Sequence, residues 1–183
     1  MSKSWQERIS RLVSRPASAP FPLCVFEIRR PLPTPWPSGL PSSPHIREFY
    51  ELCDGGNFGL DCEWHSIGTL ASENELWHRH LTGYYPDGSS PLTRGQHLVF
   101  GRDAAGALYI WDIQTDHVTT FFFKGGDFEL RAISFTAFLH RLLFPELASS
   151  PDDLWYQAVR QLDELCFNPV GGANQIESEG LKP

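Results

Sequence analysis

The stretch LVFGRDAAGALYIWDIQTDHV, from Leu98 to Val118, constrains the fold of this chain more than any other part of its sequence. Apolar runs of strand length are separated only by the short polar links GRDAAG and QTD, and the chain continues as HVTTFFFK after the second link. Glycine and aspartate are the residue types that tight hairpin turns need. The stretch therefore predicts three consecutive strands in an antiparallel meander, with its charged residues at the turns.

Further strands are predicted on either side of the meander. Apolar and polar residues alternate from Phe58 to His65, which is typical of one half-exposed strand. Its apolar face would carry Phe58, Leu60, Cys62 and Trp64. Another strand is expected near Glu129–Ile133. The central part of the chain is thus predicted to be rich in strands.

Two helices are predicted before the strands. Apolar residues at near-helical spacing from Trp5 to Val13 indicate a short amphipathic helix. A second helix is expected to use Ser43 as its N-cap and Pro44 as its first residue. The sequence DGG at Asp54–Gly56 would end it, because glycine readily adopts the left-handed conformation of a helix C-terminus.

Three more helices are predicted from capping signals. SENE at Ser72–Glu75 has the pattern of a capping box, and Ser134 precedes an apolar stripe that runs to Leu143. The segment SSPDDLWYQAVRQLDEL begins with serine, proline and two aspartates, all of which favour a helix start. Strands in the centre and helices at both ends indicate a single domain of the α+β class.

Six prolines lie between Pro31 and Pro44, in PLPTPWPSGLPSSP. Proline fixes φ and disfavours helix at the residue before it, so this segment is expected to be an extended arm. It is more readily explained as an arm on the protein's own surface, held by Trp36, than as a ligand for an SH3-like groove. We therefore expect a helix and proline-rich arm over 1–43, the α+β domain with its acidic last helix over 44–166, and a frayed tail over 167–183.

Composition excludes several classes of protein. The chain has 183 residues, of which 41% are hydrophobic, enough for a packed core without disulfides or metals. No apolar run approaches the roughly 18 residues of a membrane span, and the N-terminus lacks a signal-peptide pattern. Its four cysteines are scattered without a C-x-x-C pair. We therefore expect a cytoplasmic protein with reduced cysteines and no membrane partner.

The charge of −7 is unevenly distributed. Residues 1–30 carry six basic and two acidic side chains, whereas residues 146–183 carry two basic and seven acidic ones. An acidic body repels phosphate backbones, so nucleic acid is not expected as a partner. The charge favours a basic protein partner instead.

Patterns of catalysis and cofactor binding were weighed against structural roles. The chain has no G-x-S-x-G elbow and no phosphate-binding loop, and GRDAAG lies between two strands rather than before a helix. His78 and His80, which are two residues apart, would point in different directions on a helix, so they are poor co-ligands for zinc. We therefore expect no catalytic residues, no cofactor and no metal.

Paired carboxylates are the remaining candidates for chemistry. Asp61 and Glu63 would share one strand face about 6–7 Å apart, a separation that acid–base catalysis can use and that solvated strand faces also show. Asp112 and Asp116 flank the QTD turn, which explains both without chemistry. The meander is thus interpreted as a scaffold.

Three motifs in the same order resemble the SUKH superfamily, the cell-wall-regulator and bacterial immunity-protein group. IREFYELCDGG is similar to its opening helix and glycine turn, and AISFTAFLHRLL to its closing Ser-Phe-x-x-Phe-Leu helix. The central stretch resembles the family's strand–turn–strand motif at Gly101, Asp103, Gly106, Tyr109, Trp111 and Asp112. The resemblance covers about residues 44–144; the long proline-rich arm and the helix after Pro151 depart from it.

This resemblance implies a curved antiparallel sheet packed with helices and a protein without catalytic residues. Many members are cytosolic immunity proteins that neutralise a cognate toxin, often a nuclease. An acidic inhibitor of a basic toxin domain agrees with the charge of this chain. A regulatory or adaptor protein of the same fold stays open as an alternative, followed by a small hydrolase or a zinc protein, and the sequence indicates no oligomeric state.

A partner is expected to bind an acidic surface with aromatic anchors. The candidates are Asp61, Glu63 and His65 on the solvent face of the Phe58–His65 strand, Asp112 and Asp116 at the end of the meander, and Trp77, Tyr84 and Tyr85 as the anchors. Binding energy concentrates in a few aromatic and charged residues. The prediction requires that the fold bring these residues onto one surface.

Overall fold

The computed structural model describes residues 4–14, 26–58 and 62–143 of the chain. These segments contain four helices, α1 (Trp5–Ser14), α2 (Pro44–Leu52), α3 (Ile67–His80) and α4 (Phe135–Leu143). They also contain seven strands, β1 (Phe26–Ile28), β2 (Gly56–Phe58), β3 (Cys62–Trp64), β4 (His97–Asp103), β5 (Leu108–Asp112), β6 (Val118–Phe122) and β7 (Asp127–Ala132). The predicted helix that starts at Ser149, the tail, Cys24 and Cys166 lie outside the described residues.

All seven strands form one antiparallel sheet in the order of the sequence, from β1 at one edge to β7 at the other. Irregular pairing occurs between Val99 and Gly101 in β4, and between Val118 and Thr119 in β6. Such bulges bend a strand and increase its twist, so the sheet is curved. The predicted α+β class, the curved sheet and the central meander are confirmed.

Helices α1, α2 and α4 agree with the capping and spacing signals of the sequence. Ser43 Oγ accepts a hydrogen bond from the Ile46 N–H at 3.3 Å, and Pro44 is the first residue of α2. Ser134 Oγ accepts from the Ala137 N–H at 3.0 Å and begins α4 in the same way. Each serine satisfies an N–H group that has no partner within its helix.

The capping box predicted at Ser72–Glu75 is wrong. Helix α3 begins six residues earlier, where the N-cap is Ser66, whose Oγ accepts from the Thr69 N–H at 3.2 Å. Ser72 lies within the helix and donates its hydroxyl to the Thr69 carbonyl. The four-residue pattern occurs in helix interiors as well, and only the contacts of Ser66 show which serine caps.

The continuous strand predicted from Phe58 to His65 is also wrong. The chain turns back between β2 and β3, which pair with each other through Asn57 and Glu63. Phe58, Cys62 and Trp64 are nevertheless all buried, as the alternation predicted. In this register Phe58 and Cys62 come opposite each other and therefore lie on the same face of the sheet. The two short strands thus bury the same alternating residues as one continuous strand would.

The link after β4 is shorter than the sequence suggested. Gly101, the first residue of GRDAAG, lies within β4, which continues to Asp103, and it pairs with both Trp64 and Tyr109. A Cβ at Gly101 would lie 2.4 Å from the Glu63 carbonyl oxygen, so glycine is required by the close approach of β3. The turn itself uses Gly106, whose φ is +86°.

Most buried side chains belong to a core between one face of the sheet and helices α1, α2 and α4. Trp64 lies at its centre, with its ring centroid 4.5 Å from that of Phe49 in α2. The same ring stacks on Phe138 of α4 at 5.9 Å with an interplanar angle of 6°. One tryptophan thus connects the sheet with two helices, which explains why the aromatic content of the chain is high.

A second, smaller core lies on the opposite face of the sheet. It contains Leu81, Leu92, Val99, Leu108, Ile110 and Phe121, with Trp77 and Tyr84 packed against it. Along β4 and β5 neighbouring residues therefore enter different cores. The central strands are buried on both sides although the sheet is antiparallel.

Asn74 joins α3 to β4 in a way that the sequence did not reveal. Its Oδ1 accepts from the Val99 N–H at 2.8 Å and its Nδ2 donates to the Val99 carbonyl at 2.9 Å. A neighbouring strand would make the same two contacts, but β3 pairs with β4 only from Gly101 onward. The buried amide of Asn74 therefore takes the place of strand pairing beside Val99.

The proline-rich arm lies on α2, as expected for an arm on the protein's own surface. The Trp36 and Tyr50 rings meet edge to face with centroids 5.7 Å apart. Trp36 Nε1 donates to the Leu40 carbonyl at 3.3 Å. Pro31 to Trp36 form one wall of an open groove of about 690 Å³, with Arg47, Tyr50 and Glu51 on the other side.

Replacing Trp111 by alanine should lower the free energy of unfolding by about 3–5 kcal/mol, the usual range for a deleted core aromatic. Trp111 is 1% exposed and packs in the larger core. Chemical denaturation measures the loss, and Trp36→Ala, at a half-buried position, is the control with a smaller expected loss. Equal stability of Trp111→Ala and wild type would place this residue outside the core.

Replacing Asn74 by alanine should cost about 1–3 kcal/mol for each buried group of Val99 that loses its partner. Ser72→Ala on the same helix should change stability by less than about 0.5 kcal/mol, because Ser72 caps no helix. Thermal and urea unfolding of both variants give the comparison. A larger loss for Ser72→Ala than for Asn74→Ala would support the capping box and contradict the structure.

Candidate protein-binding surface

Aromatic side chains gather at the turn between β6 and β7. Phe123 follows β6 and lies 5.5 Å from Trp77 of α3 and 5.5 Å from Phe121, measured between ring centroids. Tyr84 packs edge to face on Phe121 at 5.4 Å. The last turn of α3, the loop after it and the β6–β7 turn thus meet at one place on the protein.

The two tyrosines fix the turn by hydrogen bonds to its backbone. Tyr84 Oη donates to the Phe123 carbonyl, and Tyr85 Oη donates to the Gly126 carbonyl at 2.9 Å. Gly126 has a φ of +73°, and a Cβ there would come within 3.0 Å of the Tyr84 ring. Glycine is therefore needed for the turn to lie against both tyrosines.

Apolar and acidic groups are exposed together here. Phe123 is 38% exposed although it contacts two aromatic rings. Burial, followed by the neighbouring Tyr84, Asp127 and Asp87, raises the pKa of Tyr85. Asp127 directly follows Gly126, which Tyr85 binds, and Asp87 lies in the turn that the Gly88 N–H closes on the Tyr85 carbonyl. Both carboxylates are exposed, as is Lys124 of the β6–β7 turn. We define the aromatic surface as Trp77, Tyr84, Tyr85 and Phe123 with the flanking Asp87 and Asp127.

The structure brings the three predicted anchors together, since Trp77, Tyr84 and Tyr85 all belong to the aromatic surface. It does not bring Asp112 and Asp116 to them. Asp112 and Asp116 lie at the β5–β6 turn, and successive turns of an antiparallel meander are at opposite ends of the sheet. The five residues of β6 separate the two ends by about 15 Å.

Asp116 has a structural role. Its Oδ1 accepts from Trp111 Nε1 at 2.8 Å and lies 3.5 Å from the Phe135 N–H at the start of α4. Its φ is +61°, a conformation that aspartate tolerates better than most residues. Asp116 therefore satisfies a buried indole and joins the β5–β6 turn to α4.

Asp112 also serves its own turn. Its carboxylate accepts from the Gln114 N–H at 2.8 Å and from Gln96 Nε2 at 3.3 Å, with His97 Nε2 3.9 Å away. Partial burial alone would raise the pKa of Asp112, but these hydrogen bonds hold it below its usual range. The prediction from sequence that turn geometry explains Asp112 and Asp116 agrees with these contacts.

The three candidates predicted on the Phe58–His65 strand have different outcomes. Asp61 lies outside the described residues. Glu63 forms an exposed ion pair with Arg102 on the neighbouring strand, with 3.0 Å between Oε2 and Nε. His65 was expected on the solvent face, and this is wrong, because it is only 8% exposed. Its N–H donates to the Phe100 carbonyl and its own carbonyl accepts from Tyr50 Oη, so contacts with β4 and α2 hold this residue in the fold.

In residues 4–14, 26–58 and 62–143, no three His, Cys, Asp or Glu side chains come together as metal ligands would. His78 is buried and His80 is exposed. Burial raises the pKa of the Cys53 thiol, which keeps it protonated and unreactive. The described helices include none with the length and apolar character needed to cross a bilayer.

Comparison of the chain with protein-family models, with curated protein sequences and with solved structures gave no match. The proposed function therefore depends on the residues of this chain and on the surface that they form.

Sequence reasoning missed Phe123, Asp87 and Asp127 as members of this surface. The signal was the sequence FFFKGGD, in which the phenylalanine run extends one residue past the end of β6. Lys124 and two turn glycines follow it. Phe123 lies after the end of β6 and takes no part in the strand pairing. A large apolar residue in this position indicates an exposed aromatic side chain at the turn.

Acid should destabilise the protein below about pH 6.5 through its buried histidines. Burial lowers the pKa of His65, His78 and His97 from the ordinary 6.5, so the unfolded chain binds these protons more tightly than the folded chain does. Stability is then complete above the ordinary pKa and is lost as the pH falls through it. Urea denaturation from pH 8 to 5 measures this slope, which His78→Gln should reduce; a flat profile would contradict the burial of these rings.

Proposed function

We propose that this protein is a non-catalytic, protein-binding domain that uses the aromatic surface to hold a basic partner. The observation that carries the proposal is the exposure of Phe123 among Trp77, Tyr84 and Tyr85, on a turn that tyrosine hydroxyls hold in place. Rigid aromatic side chains are the residues in which interface energy concentrates. A turn that is already fixed loses little conformational entropy on binding.

Charge supports a basic partner. The chain carries −7, and Asp87 and Asp127 flank the tyrosine pair. Complementary charge speeds association and selects among partners, while the apolar anchors supply most of the affinity. The same charge disfavours nucleic acid as the ligand.

The motifs that resemble the SUKH superfamily suggest which kind of protein this is and which partner it binds. Under this proposal the protein is a cytoplasmic immunity protein, and its basic partner is a toxin domain, such as a nuclease. The α+β domain with a curved antiparallel sheet is what that resemblance implied. Turn residues in structural roles, such as Asp116, are consistent with a scaffold that presents a surface rather than a reaction centre.

The groove beside the proline-rich arm is the observation that favours a second candidate, a regulatory or adaptor protein of the same fold. Its walls combine Trp36 and Tyr50 with Arg47 and Glu51, a mixed surface suited to an extended peptide. Gene context separates the two candidates, because an immunity gene is expected beside the gene of its toxin.

Replacing Phe123 by serine should weaken binding to the toxin domain encoded beside this gene by about tenfold or more. Ile113→Ser is the matched control: Ile113 is also 38% exposed, but it lies at the opposite end of β6. Titration calorimetry measures both variants after circular dichroism has confirmed that they are folded. High salt should also weaken wild-type binding if charge steers it.

Two results would contradict the proposal. Equal affinities of wild type and Phe123→Ser would remove the aromatic surface from the interface. A loss in Ile113→Ser as large as that in Phe123→Ser would show that exposed apolar residues matter without regard to position.

A further inference from the structure

Strand β7 ends the sheet and has a neighbour on one side only. It pairs with β6 from Asp127 to Ala132, and within the described part of the chain no strand pairs with its outer edge. Its first four residues are all exposed. An edge strand of this length presents a row of backbone groups that another strand can bind.

The first four residues of the edge, Asp127–Leu130, pair regularly with β6, and the bulge that interrupts the pairing lies beyond them at Arg131. Proline and lysine are absent from DFELRA, and Phe128 and Leu130 are 43% and 52% exposed. Ile133, directly after the strand, is 71% exposed. Only the far end is covered, where Arg141 Nη1 donates to the Arg131 carbonyl at 2.9 Å. The free part of the edge is therefore apolar on one face.

The two faces of β7 differ in chemistry. Phe128 and Leu130 share the face of Phe121 and Thr119, their partners in β6. Asp127 and Glu129 lie on the other face, and Glu129 is paired with Arg131 at 3.0 Å. A partner strand must therefore be apolar on one face and carry opposite charges in reverse order on the other.

We propose that a second copy of this chain binds β7 through its own β7, in antiparallel orientation, so that two sheets become one continuous sheet. A pairing centred on Glu129 places Phe128 opposite Leu130 of the other copy, twice by symmetry. It also brings each Asp127 beside the Arg131 side chain of the other copy, while the Arg131 carbonyl stays bonded to Arg141. The two Glu129 side chains that meet at the centre each have Arg131 of their own chain as a counter-ion. The edge is thus complementary to itself in apolar contact and in charge.

This interface shares only Asp127 with the aromatic surface of the proposed function. It depends on Phe128, Leu130 and the backbone of β7, whereas the aromatic surface depends on α3, the following loop and the β6–β7 turn. A dimer would present two aromatic surfaces, one on each chain. Failure of either proposal leaves the other standing.

Sedimentation velocity of the full chain tests the dimer. Wild type is expected to be dimeric at about 100 µM and to dissociate on dilution. Leu130→Lys should be monomeric at the same concentration, since a lysine on an edge strand opposes strand addition. Leu32→Lys is the matched control, because Leu32 is 50% exposed on the proline-rich arm and should leave the dimer unchanged.

Hydrogen exchange on wild type alone tests strand pairing without a substitution. Amides of Asp127–Arg131 should exchange more slowly at high than at low protein concentration if the edges pair. A monomeric wild type at every concentration would overturn the proposal, as would exchange at β7 that does not change with concentration. Dimerisation of Leu130→Lys equal to wild type, or loss of the dimer in Leu32→Lys, would equally overturn it.

Discussion

Burial of the β4–β5 pair on both faces is the constraint on which the rest of the structure depends. Phe100 and Trp111 enter the larger core, while Val99 and Ile110 enter the smaller one. A strand pair of this kind must be covered twice, so helices pack on one face and the loop after α3 on the other. The backbone of the pair must also be hydrogen-bonded. Beyond the end of β3, the Asn74 side chain bonds the N–H and the carbonyl of Val99. Helices and loops that are distant in sequence therefore all pack against the β4–β5 pair.

Local signals predicted the elements that local chemistry determines. Ser43 and Ser134 cap helices where the sequence indicated, and the meander from Leu98 to Val118 has its turns at the short polar links. The capping box at Ser72 was a local signal that failed, and other roles were missed because they depend on distant contacts. Gly101 is glycine because the Glu63 carbonyl approaches it, and no pattern within the meander carries that information.

The candidate site was predictable to the same extent. Large aromatics after a helix, such as Tyr84 and Tyr85, suggested binding anchors, and the fold gathers them with Trp77. The carboxylates were a poorer guide, because acidic residues that follow strands often satisfy turns and buried donors, as Asp116 does for Trp111. Burial of His65 accompanies its contacts with β4 and α2, which alternation alone cannot show. The proposed binding function therefore rests on a fixed turn with Phe123 exposed among other aromatic rings.

The measurement that tests this account most directly is an amide NMR titration of the isotope-labelled chain with the proposed basic partner, a toxin domain encoded beside the gene. The account predicts that the largest shift changes fall in residues 77–88 and 121–127, where the last turn of α3 and the β6–β7 turn form the aromatic surface. Changes confined to the groove between the proline-rich arm and α2, or to the β5–β6 turn around Asp112, would contradict it.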